Sequence, residues 1–448
     1  MSIFKSLNRE QKEAVGLLQI GTFLEYFDLM LYVHMAVVLN ELFFPKTDPH
    51  TASLIAAFAF CSTFVLRPFG ALIFGYIGDH IGRKTTVILT TMMMSTSCII
   101  MANLPTYAQV GITAAWIVTI CRIVQGLSSM GEIMGAQVYL TEITKPPVQY
   151  TAVSFISAAA ALGSVFALGV ATLVTTVGFN WRIAFWIGAG IALVGSIART
   201  RLGETPEFIE KSSVLRNKMA GIKIKKSDTE KTNLGDAQNS EKVQKKTAFS
   251  FLLIYCGWPL CFYLVYMYFN PILKRDFGYT AEDIIFHNFI LAMIQFVSTL
   301  FLALICHRIH PLKILRFIGG IFLILVVFLP FLVNHATQYY HIFAIQTAIM
   351  CFSIGDVPGI PIFIKNFPVL KRITAASLLY SITRAVMYVI TSFGLVYLTD
   401  VFGHYGLWLI MLPVVLSYLW AIDHYGVLEN VQLPKLMSIF KRKNLRTV

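Results

Sequence analysis

Residues 21–32 read GTFLEYFDLMLY, inside an apolar run (15–40) long enough to cross a bilayer, yet they carry Glu25 and Asp28. An ionisable group at hydrocarbon depth costs at least ~2.5–3.5 kcal/mol on insertion scales, so it persists where it has a partner or a task. Gly21, Glu25, Asp28 and Tyr32 are spaced by four, three and four residues. At about 3.6 residues per turn they form one stripe, with Phe23, Leu24, Leu29 and Leu31 on the other faces. A polar stripe at the centre of an apolar helix faces a protein interior rather than lipid. Glu25 and Asp28 are therefore candidate proton carriers and Tyr32 a candidate solute contact. His34, whose ring titrates near neutrality, joins the proton group.

The rest of the chain has the same character. It has 448 residues, is 56% hydrophobic and 13% charged, and has a mean hydropathy of +0.69. A soluble chain carries about 25% charged residues, so a polytopic membrane protein is expected. The first apolar run is not a short core followed by a small-residue cleavage site, and it is read as a retained span. All seven cysteines lie in or at the ends of apolar runs, without metal-ligand spacing or a disulfide framework. No cofactor or metal is expected.

Twelve apolar runs of spanning length follow one another. They lie at about 15–40, 52–77, 86–103, 109–139, 151–177, 183–200, 249–270, 284–306, 313–333, 340–364, 373–399 and 405–425. With a cytoplasmic N-terminus, 29 of the 36 Lys and Arg fall in cytoplasmic segments, four in the opposite loops and three inside spans. The asymmetry, about sevenfold, places both termini inside. The net charge of +13 thus reflects topology and attraction to anionic lipid, not nucleic acid. The expected division is a six-helix half (1–200), a Lys-rich cytoplasmic linker (201–248), a second six-helix half (249–428) and a basic tail (429–448). Two such halves place a site between them near the midplane.

Further polar residues sit at depth. In span 4, Arg122, Gln125, Ser129 and Glu132 share a face. Arg122 and Glu132 lie ~15 Å apart along the axis, so their partners come from other helices, with Glu25 or Asp28 the candidates for Arg122. Span 2 contributes Arg67, and span 11 contributes Arg384, the deep cation of the second half. On span 7, the face Tyr255–Pro259–Phe262–Tyr266 offers ring faces to a cationic ligand group. Arg67, Arg122, Gln125, Tyr32, Tyr255, Tyr266 and Arg384 are the candidate solute contacts. Glu25, Asp28, Glu132 and His34 are the candidate proton-coupling groups.

The loop GDHIGRK (78–84) resembles the Gly-x-x-x-Asp-x-x-Gly-Arg-Lys motif of the major facilitator superfamily, with Gly75, Asp79, Gly82, Arg83 and Lys84 in register. The resemblance implies a conformational lock in which Glu142, at the end of span 4, is the charged partner. GTFLEYFDLMLY, LRPFGALIFGYIGD, RIVQGLSSMGE, WRIAF, LGETPEF and FPVLKRITAASLLY together are similar to its metabolite:proton symporter branch, which includes proline/betaine, α-ketoglutarate, citrate and shikimate permeases. Three features depart from that pattern. Met130-Gly131-Glu132 stands where Gly-Gly-Glu is usual, CHRIHPLK (306–313) has lost the motif of the second repeat, and no heptad-bearing extension follows span 12.

The resemblance implies an all-α protein of twelve transmembrane helices in two six-helix bundles, in a bacterial inner membrane. It also implies proton-coupled uptake of a small solute by a monomer. Three buried acids against three buried arginines favour a zwitterion such as proline or betaine. The alternative is a di- or tricarboxylate held by the arginines. Another class, a non-transporting receptor on a transporter scaffold, is separated from both by a counterflow assay. An enzyme would need a nucleophile–base or metal constellation, which the sequence lacks.

Overall fold

The computed structural model describes residues 6–43, 66–177, 180–200, 202–219 and 243–433. The side chains of Tyr32 and His34 lie outside what is described, as does most of the expected linker. The described residues form helices and connecting turns, and seven stretches among them are long and apolar enough to cross a membrane.

The first half comprises α1 (Arg9–Phe43), α2 (Arg67–His80), α3 (Arg83–Asn103), α4 (Ile112–Ile143), α5 (Val148–Val177) and α6 (Arg182–Arg199). A further helix, α7 (Pro206–Met219), occupies the start of the expected linker. At 1.5 Å per residue, the 35 residues of α1 outrun the ~30 Å hydrocarbon core, so its polar first turns extend beyond the membrane. Within this half α1 packs on α5, α3 on α4 and α6, and α2 on α4.

The second half is less regular. Its first span is divided into α8 (Lys245–Tyr255), α9 (Gly257–Tyr263), a π-helical turn (Leu264–Tyr268) and α10 (Phe269–Phe277). Helices α11 (Ala281–Ile305) and α12 (Pro311–Asn334) are continuous. The apolar run 340–364, expected as one helix, is two: α13 (Tyr339–Cys351) and α14 (Ile360–Lys365), separated by irregular backbone at 352–359. Gly355, Pro358 and Gly359 lie in that break, where they disfavour a continuous helix. Helix α15 (Arg372–Val389) passes through a second π-helical turn (Ile390–Gly394) into α16 (Leu395–Phe402), and α17 (Leu407–Leu428) closes the bundle against α8 and α12.

The halves meet along two seams, α5 against α11 and α2 against α15. At the second seam, Gly75 leaves so little room that an added Cβ would lie 2.7 Å from Thr374 Cα. The two seams place α1, α4, α5, α9, α11, α13 and α15 around one central cavity.

Candidate functional site

The sequence placed two acids on α1, and each faces a separate arginine. Asp28 Oδ2 lies 3.0 Å from Arg122 Nη1, while Gln125 Nε2 donates to Asp28 Oδ1 at 3.0 Å. Arg122 Nη1 also donates to Gln125 Oε1 (2.9 Å), so Asp28, Arg122 and Gln125 close a buried triangle between α1 and α4. One turn away, Glu25 Oε1 lies 3.7 Å from Arg67 Nη2, and both side chains are about 98% buried. Glu25 also lies in the electrostatic field of Glu132 and Arg384. Glu132 accepts hydrogen bonds from Thr91 Oγ1 (2.7 Å) and Thr90 Oγ1 (3.3 Å) of α3.

The cavity between the halves has a volume of about 90 Å³. From the first half, Thr22 and Tyr26 of α1, which flank Glu25 in the chain, line it together with Gln137 of α4 and Ser157 of α5. The second half supplies Trp258 of α9, Gln295 and Thr299 of α11, Asp356 from the break between α13 and α14, and Tyr380 and Arg384 of α15. The Arg384 guanidinium carbon stands 4.6 Å from the centre of the Tyr380 ring, within cation–π range. Among the described residues no carboxylate lies within 4.0 Å of its nitrogens. Arg384 and Asp356 are the charged side chains of the lining.

The structure therefore separates residues that the sequence grouped. Arg384 lines the cavity; Glu25, Asp28, Arg67, Arg122, Gln125 and Glu132 form the buried shell behind its first-half wall. Tyr255 and Tyr266 also stand behind the lining. Tyr255 packs edge-on against Tyr380 (5.2 Å between ring centres), and Tyr266 Oη donates to Gln295 Oε1 at 3.4 Å. Trp258, on a neighbouring face of the same span, reaches the cavity instead. Asp356 was missed because its run was read as one apolar helix, and the Gly355–Pro358–Gly359 cluster was the signal that marked it as a loop residue.

A second constellation ties the halves together where α2 turns into α3. Gly82 makes that turn at φ +148°, a backbone region that L side chains rarely adopt. Arg83 reaches the carboxylate of Glu142 (Nη2 to Oε1 and Nε to Oε2, both 3.3 Å), Asp79 Oδ1 (3.2 Å) and, across the seam, the Val369 carbonyl (2.6 Å). Asp79 accepts from the backbone N–H groups of Ile373 (3.2 Å) and Thr374 (2.8 Å), at the N-terminus of second-half helix α15. That is where a helix's free N–H groups and dipole favour a carboxylate. Arg372 completes the bridge with Nη1 2.9 Å from Glu142 and 2.7 Å from Glu207.

The stretch LGETPEF supplies most of the partners the sequence reading did not assign. Thr205 Oγ1 donates to Glu142 at 2.6 Å, Glu204 accepts from the Lys84 backbone N–H at 3.2 Å, and Phe208 lies under the Arg83 guanidinium at 4.7 Å. Lys84 thus takes part through its backbone. Arg372 is one of the basic residues of the cytoplasmic segments by sequence, and nothing in its spacing marks it as a bridge.

Among curated relatives, a proline/betaine transporter of Escherichia coli (strain K12) is 31% identical over 204 residues, 44% of this chain and 41% of the relative. The E. coli inner membrane metabolite transport protein YhjE is 34% identical over 213 residues, 46% of this chain and 48% of the relative. Each match thus spans less than half the length of the relative. The solved structure of the proton:xylose symporter XylE superposes with a TM-score of 0.74 over 96% of this chain and 99% of that one, at 15% identity. A human organic anion transporter superposes with a TM-score of 0.66 over 93% of this chain and 100% of that one, at 14% identity. These structural likenesses show a shared all-α fold of two helical bundles, and the seams and the central cavity accord with it. The sequence profile of the Major Facilitator Superfamily matches residues 18–394, and the chain belongs to that family of membrane transporters.

Proposed function

We propose that this protein is a proton-coupled symporter that takes up a small carboxylate-bearing metabolite, preferentially a zwitterion, by alternating access. One observation carries the reading: Arg384 faces the cavity between the halves with no carboxylate within 4.0 Å among the described residues. A guanidinium held at depth without a close counter-ion is poised to take one from the solute. The relatives named above as proline/betaine transporters support the same solute class.

Coupling is assigned to the two acid–arginine pairs behind the cavity wall. An acid at depth is stable as an anion while an arginine accompanies it, and favours the neutral form when that field weakens. Glu25 lies within the electrostatic reach of Arg384. A solute carboxylate bound to Arg384 screens that positive field, so Glu25 takes a proton as the solute arrives. Asp28, held by Arg122 and Gln125, is the alternative proton site.

The seam at the α2–α3 turn is assigned as the gate on the cytoplasmic side, the side the charge asymmetry gives to this loop. A dicarboxylate is the second reading. It is less favoured because the lining among the described residues holds one arginine, while Arg67 and Arg122 face Glu25 and Asp28. Proteoliposomes with an imposed inward proton gradient test the proposal. Accumulation of labelled proline, collapsed by a protonophore, is expected; uptake indifferent to both pH gradient and membrane potential sinks the coupling. Competition by α-ketoglutarate but not proline would select the dicarboxylate. Ligand binding without counterflow would select a receptor.

A further inference from the structure

We infer that the interrupted helix at 352–359 is a ligand-binding loop in which Asp356 reads the ammonium of the solute opposite Arg384, so that the transported class is amino acids bearing at least one N–H. This inference rests on the assignment of Arg384 to the solute carboxylate.

Four observations lead here. First, backbone that is not helical is tolerated at membrane depth where it is buried in protein or lines a cavity, and broken helices in transporters place their ligand groups at such points. Residues Ser353, Gly355, Asp356 and Val357 line the central cavity. Second, the loop is held firmly. Tyr418 Oη donates to the Gly355 carbonyl at 2.9 Å, the Gly359 N–H donates to the Asp356 carbonyl at 2.7 Å, and Gly257 sits so close that an added Cβ would lie 2.5 Å from the Ile354 carbonyl oxygen. The backbone of Asp356 is thereby committed to the turn, while its carboxylate, faced by the Tyr255 hydroxyl, borders the cavity. Third, among the described residues no Lys, Arg or His nitrogen lies within 4.0 Å of its carboxylate, although Arg384 acts on it through space and lines the same cavity. Opposite charges that share a cavity without pairing form a bipolar receptor, which a zwitterion completes at both ends. Fourth, Trp258, Tyr26 and Tyr380 supply ring faces for the apolar body between those ends.

The discrimination follows from hydrogen-bond chemistry. An N–H donor on an ammonium meets the Asp356 carboxylate in a charge-assisted bond, stronger than a neutral one. A quaternary ammonium brings charge without a donor, and an ether oxygen brings neither. Losing such a bond at a buried carboxylate corresponds to about a ten- to hundredfold loss of affinity.

Calorimetric titration of the purified full chain tests this with three probes of one shape. These are L-proline, N,N-dimethylproline (quaternary nitrogen, no N–H) and tetrahydro-2-furoic acid (ring oxygen in place of the amine). The wild type is expected to bind L-proline about tenfold or more tighter than either of the others. Asp356→Asn is expected to weaken L-proline to the level of tetrahydro-2-furoate and leave that acid unweakened, with Asp356→Glu restoring part of the preference. Arg384→Gln should weaken all three. Equal wild-type affinity for the three probes, or an Asp356→Asn chain that keeps the L-proline preference, overturns the role of Asp356 while leaving the transporter assignment standing. Failure of the wild type to bind any of the three overturns the Arg384 assignment itself, and this inference with it. The wild-type comparison requires no variant and decides the matter even where a substitution unfolds the chain.

Discussion

Asp28 and Arg122 illustrate what a single buried pair does. Their bond is 3.0 Å long and both side chains are at least 94% buried. Removing one partner of such a pair strands a charge in a medium that cannot hydrate it, at a cost of about 3–5 kcal/mol. Asp28→Ala should therefore lower thermal stability in detergent by that order, and the double change Asp28→Ala with Arg122→Met should recover much of it. Glu25→Gln is a different case, because its ion pair is looser at 3.7 Å. We expect this variant to keep solute exchange across proteoliposomes while losing accumulation against a gradient, since exchange needs no net proton movement. Arg384→Gln should lower solute affinity about ten- to hundredfold, the scale of a hydrogen bond to a charged group. Which acid faces which arginine was not legible in the sequence: spacing gave the shared faces of α1 and α4, but Glu25 and Asp28 were equal candidates for Arg122 until the helices were packed.

At the scale of the element, most long helices followed from apolar runs, because a lipid-facing surface and a 20-residue length leave little else for the backbone to do. The exceptions lie in the second half. Hydropathy carried the reading straight through 340–364, although Gly355, Pro358 and Gly359 marked the break, because apolar length outweighed turn chemistry. The π-helical turns at Leu264–Tyr268 and Ile390–Gly394 have weaker marks, Pro271 shortly after the first and Gly394 at the end of the second. Packing adds to the first: Gln346 Nε2 donates to the Val265 carbonyl at 2.8 Å inside it. The seam α2–α15 yields a prediction at this level. Gly75→Ala places a Cβ 2.7 Å from Thr374 Cα, whereas Gly163→Ala drives one into the Phe23 carbonyl within a single half. The Gly163 change should lower stability in every state of the transport cycle. The Gly75 change should instead favour separation of α2 from α15, read as faster hydrogen exchange at 78–84 with a smaller loss of thermal stability.

For the whole molecule, the bridge at the α2–α3 turn ties the halves together at one end of the α2–α15 seam. Asp79 caps the first turn of α15, and Arg83, Glu142, Arg372 and Glu207 form a continuous charged chain across the seam. Opening at this end must break those contacts together. Arg372→Ala should therefore raise hydrogen exchange at residues 78–84 and at the start of α15. It should also shift the population of states against the closed arrangement by about 1–3 kcal/mol, because Glu142 keeps Arg83 and Thr205 as partners. Transport is then expected to slow at the step that requires this end to reclose. Unchanged exchange at both segments would show that the bridge does not govern opening.

The sequence by itself determined that the chain is a bundle of membrane helices, which loops carry the basic charge, and which polar residues lie at depth. All three follow from local hydropathy, helical period and the cost of placing charge in lipid, and none depends on long-range contacts. Only the tertiary structure decided that Asp28 faces Arg122 and Glu25 faces Arg67, that Arg384 and Asp356 share the cavity, and that Arg372 and the 204–208 stretch complete the bridge. Those pairings join residues up to 230 positions apart, as Glu142 and Arg372 do, and depend on which helix faces meet. A periodic pattern within one helix shows that a face is polar, but the identity of its partner is a property of the packed assembly.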